Sequence, residues 1–234
     1  MKFIMWFALS ILIASPCFAA DENLIRSGIT TDMSMPFSAP LTGRTCLDGK
    51  PVTAPDRQLI EYWVDLECYW CQLPEVEAFQ KENQSMCVVV RHFPTSDLAV
   101  EKALIFETLQ KQSPAAAAEF WNSIVPKNEA DPLGDSGSTH ALLETLIEKH
   151  KLDQIEVMRS LQNDATQNLG TDRLAGMNKI DFTPTVVIDG IRLGACSFSR
   201  HELPQALELV KKVKAGDTEA LDELVKIVGV QQDM

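Results

Sequence analysis

The sequence predicts an α/β fold in which a block of helices interrupts a β-sheet. Three observations support this fold class: a strand–helix–strand pattern over residues 58–93, a wholly helical pattern from about 96 to 179, and a return to strands at 185–193. Short connections within the first unit imply a parallel pair of strands with a right-handed crossover. The helical block is therefore predicted to be an insertion into one sheet-forming domain.

The first residues have the pattern of an export signal and are not expected to be part of the fold. Lys2 precedes an apolar run that is too short to span a bilayer as a membrane helix. Small residues then occupy the positions that a signal peptidase recognises. We expect a signal peptide over residues 1–19, cleaved after about Ala19, and export of the protein to a bacterial periplasm. An irregular arm is expected over residues 20–43.

Length and charge limit the classes of function. The chain has 234 residues, enough for one large domain or a domain that carries an inserted one. Its 33 acidic and 21 basic side chains give a formal charge of −12. This charge argues against nucleic acid or an anionic membrane as the main partner.

The first unit contains two strands around one helix. An apolar run predicts a buried strand over residues 58–65, and a β-branched run predicts another over 87–93. A helix is expected from Cys71 to about Gln84. Upstream, residues 45–47 suggest a short strand that ends at an Asp-Gly turn.

The remaining elements follow from apolar spacing and turn residues. Asp189-Gly190 lies between two apolar runs, which is a strong indication of a β-hairpin over residues 185–193. Helices are expected over residues 98–109, 115–125, 139–151 and 153–178 in the insertion, and over 201–214 and 217–228 at the end of the chain.

Cys68 and Cys71 form a Cys-x-x-Cys motif directly after the first buried strand. At a helix N-terminus, the helix dipole favours the thiolate form of the first cysteine. The second lies one turn away, where it can attack a mixed disulfide on the first. Half of a zinc site is the alternative, but zinc needs four ligands, and the sequence has no second Cys-x-x-Cys. We therefore predict Cys68 as nucleophile and Cys71 as resolving thiol.

The element order, with Cys-Tyr-Trp-Cys at residues 68–71 and Phe-Thr-Pro-Thr at 182–185, resembles the thioredoxin fold. More narrowly, it is similar to the bacterial periplasmic disulfide-exchange proteins: to DsbA in the inserted helices, and to DsbC, DsbG and ScsC in the motifs. The resemblance implies a thioredoxin-like domain over residues 44–95 and 180–234, with a helical domain inserted over 96–179.

The resemblance also implies a function. The expected activity is that of a thiol:disulfide oxidoreductase acting on unfolded or partly folded exported proteins. No cofactor is expected, and a membrane partner of the DsbB or DsbD type would reset the cysteines. The direction stays open. Thr183 and the Asp65 motif favour an isomerase or reductase, whereas the inserted helices and the lack of a dimerisation domain favour a monomeric oxidase.

Further site residues follow partly from the family. The cis-proline of the family corresponds to Pro184, preceded by Thr183, whose backbone would pair with an extended substrate; an ordinary trans proline is the alternative. Asp65 and Glu61 are candidates for proton handling, or else point to solvent. A neighbouring charge, Glu67, should disfavour the Cys68 thiolate if it lies close to it.

The aromatic pair between the cysteines is predicted to bind substrate. Tyr69 and Trp70 occupy helix-start positions, which are usually exposed, so their apolar surface suggests contact with unfolded protein. Trp70 replaces the histidine that oxidising members commonly have before the second cysteine. Together with Glu67, this replacement indicates a weaker oxidant than DsbA.

The other cysteines offer a second disulfide. Cys46 and Cys87 would lie on neighbouring strands at one edge of a thioredoxin sheet, so a structural disulfide between them is expected, with buried free thiols as the alternative. Cys196 is expected to stay unpaired. No metal is expected, although a copper-handling protein using Cys68 and Cys71 is an alternative function. A further alternative is a binding protein with inert thiols.

Overall fold

The structure is a computed structural model. It describes residues 39–52, 57–71, 73–126, 134–177, 180, 182–194 and 202–230. The expected signal peptide, all of the arm except its last few residues, and Cys196 lie outside the described residues.

A four-stranded mixed sheet forms the centre of the described fold. The strands are β1 (Gln58–Val64), β2 (Met86–His92), β3 (Thr185–Ile188) and β4 (Ile191–Gly194). Their order across the sheet is β2-β1-β3-β4. β1 and β2 are parallel, and the other two pairings are antiparallel. β3 and β4 join through Asp189-Gly190, where both residues have positive φ, as the predicted hairpin requires.

Of the eight helices in the described residues, five lie between β2 and β3, so the predicted helical insertion is confirmed. No helix among the described residues is long and apolar enough to cross a membrane. The helices are α1 (Leu73–Glu82), α2 (Asp97–Gln112), α3 (Pro114–Ile124), α4 (Ser136–His150), α5 (Gln154–Gln162), α6 (Asp164–Gly176), α7 (Glu202–Lys214) and α8 (Thr218–Val230).

Two predicted elements are corrected. The helix expected over residues 153–178 is divided into α5 and α6 at Asn163. This residue has φ −122° and ψ −76°, outside the helical region, and its side-chain amide donates to Arg159 O at 3.0 Å. Asparagine competes for backbone groups in this way, which favours helix ends.

The short strand expected at residues 45–47 is also wrong. Thr45 makes only an isolated bridge to Pro51 within the described residues. The chain reverses at Gly49, whose φ is +78°, so too few residues remain for a ladder. Instead, Leu47 N donates to β2 at Val88 O, at 2.7 Å.

Side chains and one backbone amide bind the outer edge of β2, which would otherwise expose backbone groups to pairing with another strand. On Val88, the amide donates to Gln80 Oε1 at 2.8 Å and the carbonyl accepts from Leu47. At the end of the strand, His92 N donates to Asp172 Oδ2 at 2.9 Å. This edge is therefore closed by groups from α1, α6 and the segment before β1.

The two faces of β1 differ in what they contact. Ile60, Tyr62 and Val64 belong to the large apolar core that includes residues of the inserted and C-terminal helices. Because side chains alternate along a strand, Glu61 and Trp63 lie on the opposite face. Trp63 is fully buried there.

Candidate active site

The two cysteines of the motif lie in the turn that connects β1 to α1. Cys68 N donates to Asp65 O, and Cys71 N donates to Cys68 O, both at 3.0 Å. The predicted helix start at Cys71 is two residues early, because α1 begins at Leu73. Both cysteines are free thiols; Cys68 is partly exposed and Cys71 is buried. One sulfur therefore faces incoming molecules while the other is screened from them.

The loop before β3 completes the site from the far end of the sequence. The Thr183–Pro184 peptide bond is cis, as the resemblance implies. The carbonyl oxygen of Thr183 lies 3.4 Å from Cys68 Sγ, although the two residues are 115 positions apart. The sulfur and the cis-proline loop thus face each other directly.

The two thiols have opposite electrostatic surroundings. A hydrogen bond from the Cys71 thiol lowers the pKa of Cys68 to about 7; burial opposes this shift, and the backbone of Trp70 adds to it. Burial raises the pKa of Cys71 well above its ordinary value, and the neighbouring Cys68 raises it further. Near neutral pH, Cys68 is therefore the thiolate of the pair and Cys71 holds the proton.

The start of the insertion is fixed to the cysteine turn by side-chain hydrogen bonds, which we call the loop clasp. Asp65 Oδ2 accepts from Thr95 N at 2.9 Å and from Thr95 Oγ1 at 2.7 Å. The carboxylate of Glu67 accepts from Ser96 Oγ, and from Lys102 Nζ at 3.3 Å. Ser96 is also the N-cap of α2. The clasp therefore joins the loop that contains Cys68 to the first inserted helix.

Helix α3 also contacts the cysteine turn, through Trp121. Trp121 Nε1 donates to Cys71 O at 3.0 Å in the buried interior. The indole ring stacks on Tyr62 of β1 with an interplanar angle of 9°, and Phe106 packs edge-on against it. Sequence reasoning missed Trp121, because the spacing of α3 predicts a buried residue there but not the carbonyl that it meets.

Asp65 and Glu61, the two candidates for proton handling, are in different places. Asp65 holds the loop through Thr95 and also accepts from Glu67 N at 2.8 Å. Glu61 lies on the sheet face away from the main core and pairs with Arg91 Nε at 2.8 Å. Burial raises the pKa of Glu61, and Arg91 opposes this shift. Proton handling by either acid stays a prediction, and their partners indicate structural roles.

Glu61 belongs to a buried ion network that the sequence did not reveal. Arg91 also contacts Asp172 of α6 at 3.0 Å, and Asp172 pairs with Arg44 at 2.7 Å. Arg44 in turn pairs with Glu107 of α2 at 2.5 Å. Burial opposes ionisation of Glu107, yet Arg44 and the neighbouring His92 lower its pKa to about 2. The network ties the insertion to β1 and β2.

Aromatic side chains are exposed in both segments that meet at Cys68 Sγ. Trp70 is 43 % exposed, and its ring packs against that of Tyr69 with centroids 4.2 Å apart. Phe182, next to the cis-proline loop, is 36 % exposed. Sequence reasoning had not assigned Phe182 a role, although its position directly before Thr183 could have suggested one. The cysteine turn and the segment before the cis-proline therefore each expose apolar surface.

Solved structures share the fold of this chain. Proteus mirabilis ScsC in a compact conformation is similar over 81 % of this chain and 88 % of its own, with a TM-score of 0.57 and 16 % identity. Wolbachia pipientis α-DsbA1 matches over 80 % and 96 %, with a TM-score of 0.54 and 19 % identity. The thiol-disulfide exchange protein α-DsbA2 from the same organism has a TM-score of 0.54 at 12 % identity, over 81 % and 97 % of the two chains.

The chain has a thioredoxin-like fold. The sheet and the helices inserted between β2 and β3 match the DsbA-like form of this fold, as the sequence predicted. No protein-family model matches the chain, and no curated protein matches its sequence. The likeness therefore comes from three-dimensional structure.

The thioredoxin-like fold of this chain also contains a disulfide away from the candidate site. Cys46 and Cys87 are bonded, with their Cα atoms 5.1 Å apart, and both are buried. Arg57 Nη1 lies 3.0 Å from Cys46 Sγ. Since the segment that contains Cys46 is not a strand, the pairing depends on its contact with β2.

Metal binding has no further support in the described part of the chain. No group of three or more His, Cys, Asp or Glu side chains there could hold a metal ion. The copper-handling alternative stays a prediction based on the Cys68 and Cys71 thiols alone.

Proposed function

We propose that this protein is a thiol:disulfide oxidoreductase that exchanges disulfides with cysteine-containing proteins. The observation that carries the proposal is the pairing of unlike thiols opposite the cis-proline loop. Cys68 is accessible and has a pKa of about 7, whereas Cys71 is buried and protonated. An exchange reaction needs one sulfur that attacks the substrate and a second that later attacks the mixed disulfide.

The reaction balances without a cofactor. The Cys68 thiolate attacks a substrate disulfide, the substrate S–S bond breaks, and one substrate sulfur leaves as a thiolate. Cys71 then gives up its proton and attacks Cys68 Sγ, which forms the Cys68–Cys71 disulfide and releases the second substrate sulfur as a thiolate. Two electrons pass to the substrate, and the Cys71 proton goes to a released thiolate. Oxidation of a substrate dithiol is the reverse sequence.

The surface around Cys68 supports an unfolded polypeptide as substrate. Trp70 and Phe182 offer apolar contacts on two sides, and the backbone of Thr183 offers hydrogen-bonding groups to an extended chain. A folded protein would bury its cysteines and its apolar side chains, so it would match this surface poorly. Tyr69 and Trp70 are therefore assigned to substrate binding.

The location and partners are proposed from the sequence pattern and the fold. The leader at residues 1–19 supports export to the periplasm, and the insertion over 96–179 supports a DsbA-like domain division. The reset partner would be a membrane protein of the DsbB or DsbD type. Two structural neighbours are α-DsbA1 and the thiol-disulfide exchange protein α-DsbA2, which fits this proposal.

Three substrates test the function and its direction. The protein is incubated with insulin, with reduced ribonuclease and with scrambled ribonuclease in glutathione buffers. We expect exchange with at least one substrate, and the one that reacts fastest identifies a reductase, an oxidase or an isomerase. No exchange with any substrate, in a folded protein with both thiols free, would contradict the proposal and leave the copper-binding alternative to be tested.

A further inference from the structure

An acidic residue is the immediate sequence neighbour of the proposed nucleophile. Glu67 directly precedes Cys68, and only 11 % of its side chain is exposed. A negative charge near a sulfur raises the pKa of that sulfur, because it opposes the thiolate. Left uncompensated in this partly buried turn, Glu67 would work against a reactive Cys68.

The compensating charge comes from the inserted helices. Lys102 of α2 is 1 % exposed, and its Nζ lies 3.3 Å from Glu67 Oε1. The second oxygen of Glu67 accepts from Ser96 Oγ at the N-terminus of α2. A lysine that is buried to this extent requires a charged partner. The carboxylate is thus neutralised from the side of α2.

We propose that Lys102 is a positioning residue for disulfide exchange, because it holds and neutralises Glu67 so that this carboxylate does not oppose the Cys68 thiolate. The inference rests on the proposed function for its biological meaning. The electrostatic link between Lys102 and Cys68 can be measured without any substrate.

Other described groups near the Cys68 sulfur carry no positive side-chain charge; the backbone of Trp70 is one of them. Cys71 shares its turn, and Thr183 presents a carbonyl from the cis-proline loop. The second acid of the turn, Asp65, is held by three donors from Thr95 and its own loop. Lys102 therefore supplies the positive charge of the loop clasp.

The electrostatic link between Lys102 and Cys68 predicts that loss of Lys102 changes the reduction potential of the Cys68–Cys71 couple. Reduction of the Cys68–Cys71 disulfide by a dithiol gives a Cys68 thiolate, a Cys71 thiol and one released proton. Whatever stabilises the thiolate favours the reduced protein and raises the reduction potential of the couple. Loss of Lys102 should therefore favour the disulfide.

The test uses Lys102→Met, Glu67→Gln and the double variant in the full chain. Lys149→Met is the matched control, because Lys149 pairs with Glu119 in the same insertion but on an exposed surface. Circular dichroism confirms the fold. Thiolate absorbance and iodoacetamide alkylation against pH give the pKa of Cys68, and equilibration with glutathione gives the potential.

Lys102→Met is expected to raise the pKa of Cys68 by roughly one unit. Alkylation at pH 6 then slows about tenfold, and the glutathione equilibrium shifts towards the disulfide by about twofold at pH 7 and about tenfold at pH 9. Glu67→Gln should lower this pKa. The double variant should return it close to the wild-type value, and Lys149→Met should leave it unchanged.

Two outcomes overturn the inference: a folded Lys102→Met variant with the wild-type pKa and potential, or a double variant that keeps the raised pKa. If Lys102→Met does not fold, an unchanged pKa in Glu67→Gln overturns it instead. A shift of the pKa as expected in a protein that exchanges no disulfide would reject the proposed function while leaving the link between Lys102 and Cys68 intact.

Discussion

The pairs Cys46–Cys87 and Cys68–Cys71 lie beside neighbouring strands of one sheet, yet one is a disulfide and the other is a pair of free thiols. Cys46 and Cys87 form a disulfide that is buried at the β2 edge. Cys68 and Cys71 are free thiols in the turn that follows β1, and one of them is partly exposed. The side chains are identical, so the difference must come from their surroundings.

The access of a thiolate to the sulfur atoms and the pKa values of the thiols decide which pair can react. A buried disulfide has no path for an attacking thiolate, whatever its intrinsic chemistry. The pair in the turn has an accessible sulfur with a lowered pKa and a buried sulfur with a raised one. Four predictions test this contrast, in order of decreasing effect.

Removing the nucleophile should have the largest effect. Cys68→Ser is expected to reduce disulfide exchange by about a thousandfold or more, because a hydroxyl cannot replace the attacking thiolate. Cys71→Ser should still attack substrate but accumulate a mixed disulfide, visible by mass spectrometry of the trapped species. Substantial turnover by Cys68→Ser would show that another group attacks.

Removing the buried disulfide should affect stability instead of activity. The double variant Cys46→Ser, Cys87→Ser opens a loop with a sequence separation of 41, which lowers the free energy of unfolding by about 4 kcal/mol. Urea denaturation followed by circular dichroism measures this loss. Exchange activity at low temperature should stay within about twofold of wild type. A folded variant without activity would mean that the two pairs are not independent.

The pH dependence of alkylation should separate the two sulfurs of the turn. The rate at Cys68 is expected to rise with a midpoint at a pKa of about 7, while Cys71 stays unreactive over the same range. Because the folded pKa of Cys68 lies below its ordinary value of 9.0, the reduced form gains stability as the pH rises from about 7 to 9. It loses this gain as the pH falls through 7. A midpoint near 9 would contradict this assignment.

The smallest effect is expected from removing the hydrogen bond between Trp121 of α3 and the cysteine turn. Trp121→Phe keeps most of the ring packing but removes the donor to Cys71 O, so the free energy of unfolding should fall by about 1 kcal/mol. Thermal unfolding of the reduced protein measures the change. Trp70→Phe, at an exposed position, serves as the control and should leave stability within about 0.5 kcal/mol.

Local patterns predicted much of this fold. The motif at Cys68 and Cys71, the hairpin at Asp189-Gly190 and the insertion were all recognisable, because each depends on neighbouring residues or on the order of elements. The division at Asn163 was missed, since the apolar spacing continues through it. The helix ends where the side chain of Asn163 bonds to Arg159 O, a local contact that apolar spacing does not reveal.

Contacts between distant residues were not predictable in this way. Arg44 and Glu107 are 63 positions apart, and Lys102 meets Glu67 across 35 positions. Periodicity places each residue in an element but says nothing about the partner that it meets. The electrostatics of the turn, which depend on such pairs, therefore became visible only in three dimensions.

The site is divided between two segments that the insertion keeps apart in sequence. A growing polypeptide that ends before Thr183 already has Cys68 and Cys71, but it lacks the carbonyl that lies opposite Cys68. Closing so long a loop is entropically costly and belongs to the slow, late contacts of folding. An incomplete chain therefore has both thiols of the motif but lacks the loop opposite Cys68, and the site is complete only when the last strands dock.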